Sequence, residues 1–181
     1  MPEWQATGDI GPRTYTCGWC GKVVGPRMGY RNNDATGRIY ECPYCSNPTI
    51  FAQGKQVPGP LLGADVGALP ADVEALYREA RQCASIGAYT SSVMDCRKLL
   101  MHIAVERGAP QNQNFVDYVN YLDANHYTPP DSHGWVDHIR NMGNEANHEI
   151  RLVQQTDAEE LVAFVEMLLK FIYEYPSKYR P

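Results

Sequence analysis

From about residue 70 onward, apolar residues recur every three or four positions along the chain. This period aligns them on one face of an α-helix, and Gly and Pro residues divide the pattern into five segments. The second segment shows the pattern clearly, with Val93, Cys96, Leu99, Leu100 and Ile103 on one face. Because the connections are short, sequential helices should return alongside one another. The pattern therefore predicts an antiparallel bundle of five helices over residues 70–181.

Capping signals mark several ends of these helices. The first should end near Gly87, a residue that can adopt the positive φ of a C-terminal cap. Asn114 is a candidate N-cap for the third helix over residues 115–125. The fifth helix is predicted to begin at a capping box formed by residues 156–159 and to close at Pro176.

The first third of the chain has a different pattern, in which short strand-like segments alternate with Gly, Pro and Cys. These segments are residues 14–16, 23–24, 38–41 and 49–51, and they predict two short β-hairpins. Pro and Gly recur too often for a helix between residues 46 and 70, so we place a domain boundary near residue 60. We assign residues 1–55 to a small β module, residues 56–69 to a Pro/Gly-rich connector and residues 70–181 to the bundle. The expected fold class is mainly α.

Four cysteines of the β module carry the most specific signal. Cys17 with Cys20, and Cys42 with Cys45, form two C-x2-C knuckles separated by 21 residues, and each knuckle follows a predicted strand. This spacing predicts a zinc ribbon with one structural zinc ion per chain, because four thiolates suit zinc and leave no open position for a water nucleophile. A pair of disulfides or a redox C-x-x-C motif is the alternative. A cytoplasmic location and the lack of a thioredoxin-like strand–helix context argue against it.

Charge is shared unevenly along the chain, whose net charge is −5. Residues 1–60 contain six Lys and Arg residues against four Asp and Glu residues, and the remainder is acidic. This balance argues against a protein that coats nucleic acid by charge alone, but it permits local recognition. No basic-then-apolar leader is seen, and no apolar run approaches the roughly 20 residues of a membrane span. We expect a soluble, cytoplasmic protein.

Aromatic and basic residues of the ribbon are candidates for nucleic-acid contact. Trp19, Tyr30 and Tyr44 could stack on bases, and Arg31 and Arg38 could pair with phosphates. The same residues could equally pack the ribbon onto its neighbour. Both interpretations remain open on the sequence alone.

A dense polar stretch interrupts the apolar pattern at residues 139–149. In a helix, Arg140, Asn144 and His148 fall at i, i+4 and i+8, along one stripe that is our candidate catalytic or binding site. His148 could accept a proton and Arg140 could stabilise a pentavalent phosphate, as ribose cleavage requires. Alternatively the stripe is a satisfied polar network in which Arg140 pairs with Glu145 or with an acid on another helix.

Three further residues lie on inward helix faces. Arg97 is a supporting candidate, because a partly buried guanidinium requires a carboxylate or a bound anion as acceptor. Cys83 and Cys96 are interpreted as small buried hydrophobes.

Several segments of the bundle together resemble a known family. They are Glu79-Ala80-Arg81, Arg97-Lys98-Leu99-Leu100, Ile139-Arg140-x-x-Gly143-Asn144-x-x-x-His148 and Leu168-Leu169-x-x-Ile172-Tyr173-Glu174-x-Pro176. This pattern resembles domain-of-unknown-function family 4145, which is found in or beside restriction endonucleases and other defence proteins and often carries an N-terminal zinc ribbon. The resemblance implies a partner in a prokaryotic or phage defence system.

The same segments are similar to the HEPN superfamily, whose helical bundles commonly dimerise and often act as metal-independent ribonucleases. The resemblance implies a homodimer, with Arg140, its polar neighbour Asn141 and His148 in the catalytic positions. Seven residues separate Arg140 from His148 here, one more than that pattern allows.

Taken together, the sequence predicts a zinc ribbon followed by a HEPN-like bundle. We expect an interaction or nucleic-acid-binding protein of a defence-related system, with RNA or another nucleic acid as a candidate ligand. The alternative is a metal-independent ribonuclease that uses Arg140 and His148.

Overall fold

A computed structural model describes residues 8–129, 133–145 and 153–179 of the chain. The chain divides into two compact units, one of Met1–Leu62 with Ala84–Gly87 and one of Gly63–Cys83 with Ala88–Pro181. Strands occupy the first unit and five main helices follow them, so the prediction of a mainly α fold with an N-terminal β part is confirmed.

The β part contains more strands than the sequence pattern indicated. Within the described residues, five strands form one antiparallel sheet in the order β1-β4-β5-β6-β7, and β2 and β3 form a separate hairpin. The strands are β1 Gly8–Asp9, β2 Tyr15–Thr16, β3 Val23–Val24, β4 Met28–Arg31, β5 Gly37–Glu41, β6 Pro48–Ala52 and β7 Lys55–Val57.

The turn between β6 and β7 accounts for one strand that the sequence pattern missed. Gln53 and Gly54 both have positive φ, at 52° and 74°. Such a two-residue turn matches the twist of an antiparallel hairpin and allows Lys55 to pair with Ala52. As a result, β7 extends into the segment 56–69 that the Pro and Gly content assigned to a connector.

The first unit is centred on an aromatic cluster. Tyr15 of β2, Tyr40 of β5 and Phe51 of β6 have ring centroids 5.1–6.3 Å apart. The cluster also contains Cys17 and Cys42, which are fully buried. Because so few large apolar side chains are available here, the cysteines form a substantial part of this small core.

Helices account for the second unit. They are α1 Ala71–Ser85, α2 Tyr89–Glu106, α3 Phe115–Ala124, α4 His133–Glu145, α5 Gln155–Leu169, a π-helical turn Lys170–Glu174 and α6 Tyr175–Lys178. None of the helices in the described part of the chain combines the length and the apolar character that crossing a membrane requires.

α2 is central to the bundle, since both α3 and α5 pack against it and α4 packs against α3. Leu99, Leu100 and Ile103 of α2 are almost fully buried in this core. Trp135 of α4 meets Phe164 of α5 edge to face, with ring centroids 4.9 Å apart. The 3.6-residue period therefore predicted the inward face correctly.

Two predicted helix ends are confirmed and a third is wrong. Gly87 has a φ of 83° after α1, and the Asn114 side chain accepts a hydrogen bond from the Asp117 N–H at the start of α3. At α5, however, the capping box joins Gln154 and Asp157 rather than residues 156 and 159. The helix begins two positions earlier than predicted because the Asp157 carboxylate accepts the Gln154 N–H at 3.0 Å.

Pro176 does not close the last helix, contrary to the sequence-based prediction. The Tyr175 N–H bonds to the Lys170 carbonyl five residues earlier, which widens the backbone into a π turn directly before the proline. In a regular α-helix the Pro176 ring would clash with the Ile172 carbonyl. The proline instead lies in the first turn of α6, where its missing N–H leaves no intrahelical bond unmade.

A short segment before α1, residues 63–67, is tied to the last helices by two carboxylates. Glu166 accepts the Ala64 N–H at 2.9 Å, and Glu174 accepts the Gly67 N–H at 3.1 Å. We call residues 63–67 the strap. The two carboxylates also bond to lysines one turn further along the helix, so each is shared between the strap and a cation.

The contacts of Glu174 predict an acid-sensitive attachment of the strap. Hydrogen bonds from Lys178 and from the Gly67 N–H hold the pKa of Glu174 below its ordinary value of 4.5. A lowered pKa stabilises the folded state above about pH 4.5, and this stabilisation disappears as the pH falls through the folded-state pKa. Between about pH 6 and pH 3, Glu174→Gln should therefore lose less unfolding free energy than the parent protein.

Urea unfolding followed by helical circular dichroism measures this difference. Glu74→Gln is the matched control, because Glu74 is an exposed carboxylate in the first turn of α1. Parallel pH profiles for Glu174→Gln and the parent would contradict the role assigned to Glu174.

Candidate functional site

The two cysteine knuckles have the same backbone geometry. In the first, the Cys17 N–H bonds to the Lys22 carbonyl and the Gly21 N–H bonds to the Cys17 carbonyl; in the second, Cys42 bonds in the same way to Asn47 and Ser46. Gly21 and Ser46 occupy equivalent positions with φ of 69° and 55°. The sequence folds each C-x2-C stretch into a tight turn that directs both thiols to one side.

These turns bring the four thiols together. All four Sγ atoms of Cys17, Cys20, Cys42 and Cys45 lie within 4.8 Å of one another. Two of the contacts cross between the knuckles, at 3.8 Å for Cys17 with Cys45 and 3.7 Å for Cys20 with Cys42. Cys17 and Cys42 are buried and the other two are partly buried, and all four are free thiols. The cluster can hold a metal ion.

The electrostatics of the cluster differ from one thiol to the next. Burial raises the pKa of Cys17 to about 12 and also raises that of Cys20. For Cys45, burial is outweighed by hydrogen bonds from the backbone and side chain of Asn47, and its pKa falls to about 7. Four thiolates this close would repel one another strongly, so the site favours them only when a cation lies between them.

A second feature of the first unit is a small cavity of about 260 Å³ lined by basic residues. Arg13, Arg38 and Lys55 contribute its charge, and we call it the basic hollow. Its other lining residues are Ala35, Thr36, Phe51, Ala52 and Gly54. The Arg13 guanidinium lies 3.9 Å from the centroid of the Phe51 ring, which fixes its orientation.

The structure separates the ribbon residues that the sequence grouped as nucleic-acid contacts. Arg31 and Arg38 are cross-strand partners in β4 and β5, so they lie together beside the hollow. Trp19 and Tyr44 lie at the knuckles instead. The Trp19 indole donates to the Pro48 carbonyl at 2.8 Å and is 43% exposed. The Tyr44 ring is 66% exposed with the Lys22 ammonium 4.6 Å from its centroid.

Two residues of the hollow were missed by sequence reasoning. Arg13 lies in a segment without a recognised strand, and Lys55 opens β7, which was not predicted. The available signal was the Gln53-Gly54 turn, since a two-residue loop would have placed Lys55 beside Ala52. Tyr30, the remaining candidate, is paired with Ile39 and is 43% exposed.

The polar stripe of Arg140, Asn144 and His148 is described only in part. Asn141 is exposed, and Asn144 and Glu145 belong to the last turn of α4, but their side chains lie outside the described residues. His148 also lies outside the described residues. The catalytic pairing of Arg140 with His148 therefore stays a prediction.

The Arg140 guanidinium forms ion pairs with two carboxylates. Its guanidinium bonds to Asp123 of α3 at 3.2 Å and to Asp137, one turn earlier in α4, at 2.5 Å. Asp123 in turn accepts the Thr128 hydroxyl at 2.6 Å. Since the Arg140 side chain is only 23% exposed, these bonds link α4 to α3 and to the loop that follows α3.

Arg97 is buried, and an aromatic ring lies beside its guanidinium. Its guanidinium lies 4.6 Å from the centroid of the Phe115 ring, and its Nη1 has no hydrogen-bond partner within the described part of the chain. Burial lowers the pKa of Arg97. The aromatic face of Phe115 attracts the guanidinium, and the expected carboxylate or anion acceptor of Arg97 stays a prediction.

The remaining two cysteines are not equivalent. Cys96 is fully buried, as predicted, and burial raises the pKa of its thiol. Cys83 is only partly buried and lies beside Asp95, so the interpretation of Cys83 as a core hydrophobe is wrong.

The Arg140 contacts predict a structural role that can be measured. Arg140→Ala should lower the free energy of unfolding by about 2 kcal/mol, because Asp123 would be left partly buried without its cation. A double-mutant cycle with Asp123→Ala should show a coupling of about 1 kcal/mol in urea unfolding. Asp137→Ala is the control and should cost less than about 0.5 kcal/mol, since Asp137 is 63% exposed. Additive effects of the Arg140 and Asp123 substitutions would show that the pair does not hold α4 to α3.

A family model described as Domain of unknown function (DUF4145) matches residues 78–180, which is more than half of the 181-residue chain. The match includes most of α1 and every later helix, whereas the cysteine cluster and the basic hollow lie outside it. The chain matches no curated protein and no solved structure. By its helical part, the chain belongs to the family described as Domain of unknown function (DUF4145).

Proposed function

We propose that this protein is a zinc-stabilised nucleic-acid-binding protein whose ribbon recognises phosphates. Cys17, Cys20, Cys42 and Cys45 hold one zinc ion, and the basic hollow contacts the nucleic-acid backbone. The observation that carries the proposal is the hollow itself. Three cations converge on it, and within the described residues none of them forms an ion pair.

The chemistry of the cysteine cluster supports zinc as its metal. Four thiolates form a closed tetrahedral site for this borderline-soft ion, and such a site has no position for a reacting water. The burial of Cys17 and Cys42 beside Tyr40 supports a structural role, because the metal would complete the core of the ribbon. The ion would then stabilise the fold rather than take part in a reaction.

The make-up of the hollow supports phosphate as its ligand. Arg13 is held against the Phe51 ring, so little side-chain freedom is lost when it binds an anion. Asp34 is the acid closest in sequence to the hollow-lining Ala35 and Thr36. Its carboxylate accepts the Thr36 N–H and hydroxyl, and these bonds keep its pKa below the ordinary range. The Asp34 carboxylate therefore makes these hydrogen bonds within its own loop.

The size and charge of the chain favour a short, local contact. A cavity of about 260 Å³ has room for a phosphate group but not for a duplex, and the chain as a whole carries a net charge of −5. Single-stranded nucleic acid suits this arrangement, because a flexible backbone can enter a small basic cavity. We infer that Arg31, the cross-strand neighbour of Arg38, extends the contact along the strand.

The proposal also covers the oligomeric state of the protein and the biological system in which it acts. The resemblance of the bundle to defence-associated and HEPN-like proteins supports a homodimer in the cytoplasm of a prokaryote or phage-infected cell, acting within a defence system. Ribonuclease activity through Arg140 and His148 is the second candidate, supported by the sequence pattern of residues 139–149. The guanidinium of Arg140 is already bonded to Asp123 and Asp137, and this favours nucleic-acid binding by the ribbon over ribonuclease activity.

The zinc assignment predicts both a stoichiometry and a local loss of structure. Mass spectrometry of the purified protein should find about one zinc per chain, and Cys42→Ser should lose it. Chelation should remove amide-exchange protection from β5 and β6 while α5 keeps its protection, because the metal stabilises the ribbon core alone. Cys96→Ser is the control thiol and should retain the zinc. A chain without stoichiometric metal, or with iron in its place, would contradict the assignment.

The hollow predicts the location of nucleic-acid binding. Arg38→Ala/Lys55→Ala should weaken binding of a fluorescent single-stranded oligonucleotide of about 20 nucleotides by about tenfold or more in anisotropy titrations. The slope of log affinity against log salt should also fall in magnitude by about 1.4, since two phosphate contacts are lost.

Lys22→Ala/Arg27→Ala is the matched control, because it removes two charges from the same unit outside the hollow. It should leave the affinity within about twofold. Equal losses in both variants would show that binding depends on overall charge, and loss in the control alone would place the contact at the knuckles. RNA that is cut in the presence of EDTA, but left intact by His148→Ala, would favour the ribonuclease instead.

A further inference from the structure

The cations of the basic hollow come from three separate parts of the first unit. Arg13 lies in the segment before β2, Arg38 lies in β5 and Lys55 opens β7. Ala52 pairs with Gly37 on one side and with Lys55 on the other, so the β4–β5 and β6–β7 turns lie at the same end of the sheet. The three positive side chains therefore approach one small space from different directions along the chain.

Among residues 8–62, no acid lines the hollow. The acids of this range are Asp9, Asp34 and Glu41. Asp9 forms an ion pair with Arg27 at 2.8 Å, and Glu41 ends β5 at the opposite end of that strand from the hollow-lining turn. Asp34 belongs to that turn and hydrogen-bonds to Thr36. Even if the charge of Asp34 is set against the three cations, two of their three positive charges remain.

A further cation lies directly opposite Arg38. Arg31 of β4 and Arg38 of β5 are cross-strand partners, so their side chains project from the same face of the sheet. Like charges that face each other on neighbouring strands repel, and such a pair lowers stability unless an anion lies near both. Neither arginine forms an ion pair within the described part of the chain. This pairing is an observation, separate from the cavity, that points to an anionic ligand.

The number of cations distinguishes two kinds of phosphate in a nucleic acid. A phosphate within a strand is a diester, with one negative charge and two oxygens free of ester bonds. A phosphate at the end of a strand is a monoester, with three such oxygens and a charge of about −1.5 to −2 at pH 7. Arg13, Arg38 and Lys55 can each donate to a different oxygen of a monoester, whereas a diester leaves one of these cations without an acceptor.

We propose that the basic hollow binds the phosphate monoester at the end of a single strand. This inference rests on the proposed nucleic-acid function and specifies which phosphate the ribbon recognises. The guanidinium groups of Arg13 and Arg38 donate to two of the phosphate oxygens, and the Lys55 ammonium donates to the third. Arg31 contacts the next phosphate along the strand.

Anisotropy titrations with the full-length, zinc-containing chain test this inference. The ligands are single-stranded DNAs of about 12 nucleotides that share one sequence and a 3′ fluorophore. Their 5′ ends carry a phosphate, a hydroxyl or a methyl phosphate, which keeps the phosphorus but removes one charge and one free oxygen. DNA is used because it lacks the 2′-hydroxyl that a ribonuclease requires. The 5′-phosphorylated strand should bind about tenfold more tightly than the other two strands.

Variants show whether the hollow is the place where the end of the strand is recognised. Arg38→Ala/Lys55→Ala should abolish the preference for the 5′ phosphate, and Arg13→Gln should reduce it about threefold. Lys22→Ala/Arg27→Ala is the matched control and should keep the full preference, because it removes two charges outside the hollow. Zinc content and melting curves confirm that each variant is folded.

Two further ligands identify the recognised end. A 3′-phosphorylated strand with a 5′ fluorophore shows whether the hollow distinguishes the two ends, and equal preference for both phosphates supports a monoester site without polarity. A circular single strand has no end, so it should bind about as weakly as the strand with a 5′ hydroxyl.

The outcomes separate this inference from the proposed function. The inference is wrong if the circular, hydroxyl and methyl phosphate ligands bind as tightly as the phosphorylated strands, or if Arg38→Ala/Lys55→Ala keeps the preference. If that variant weakens every ligand equally, the proposed function stands and the inference alone fails. If the parent chain binds none of the strands, or the variant binds all of them normally, the proposed function itself fails.

Discussion

The first unit depends on four sulfur atoms that two turns hold within 4.8 Å of one another. Cys17 and Cys42 belong to the same buried cluster as Tyr15, Tyr40 and Phe51, so whatever fixes the sulfurs also fixes the aromatic core. Phe51 in turn orients Arg13 in the basic hollow. A contact thus connects each step from the cysteine cluster to the candidate phosphate site. Under the proposed function, a metal bound by the four thiolates would therefore support the phosphate site through the aromatic core and would take no part in a reaction.

The second unit depends on a different interaction, in which the two oxygens of one carboxylate accept hydrogen bonds from two separate groups. Glu166 and Glu174 join the strap to the last helices, and Asp123 joins α4 to the loop after α3. A carboxylate that is satisfied twice withstands partial burial, because neither oxygen is left without a donor. Lys170 and Lys178 balance the charges of Glu166 and Glu174, so the strap is attached through carboxylates that are already neutralised.

Sequence reasoning succeeded where the physical signal was local and periodic. The knuckle spacing located the cysteine cluster, and the 3.6-residue period located the core of α2 and α5. Sequence reasoning failed where contacts with residues distant in sequence, or a change in backbone geometry, determine the local structure. β7 was hidden by Gly54 and Pro58, although the positive φ of Gln53 and Gly54 makes the hairpin possible. The sequence predicts a helix end at Pro176, because a π turn has no sequence period that distinguishes it from an α-helix. Arg13 reaches the hollow only through tertiary packing on Phe51.

The density of polar residues and the bonding of each cation single out different parts of the chain as candidate sites. The stretch around Arg140 concentrates Arg, Asn, Glu and His, yet the Arg140 guanidinium already bonds to two carboxylates. Arg38 and Lys55 lie in an unremarkable hairpin, and within the described residues neither has a carboxylate partner. A cation already bonded to acids must break those bonds to receive a phosphate, whereas an unpaired cation loses only water. Because nucleic-acid affinity comes largely from such contacts, the ribbon is the better candidate for the binding surface of this family member.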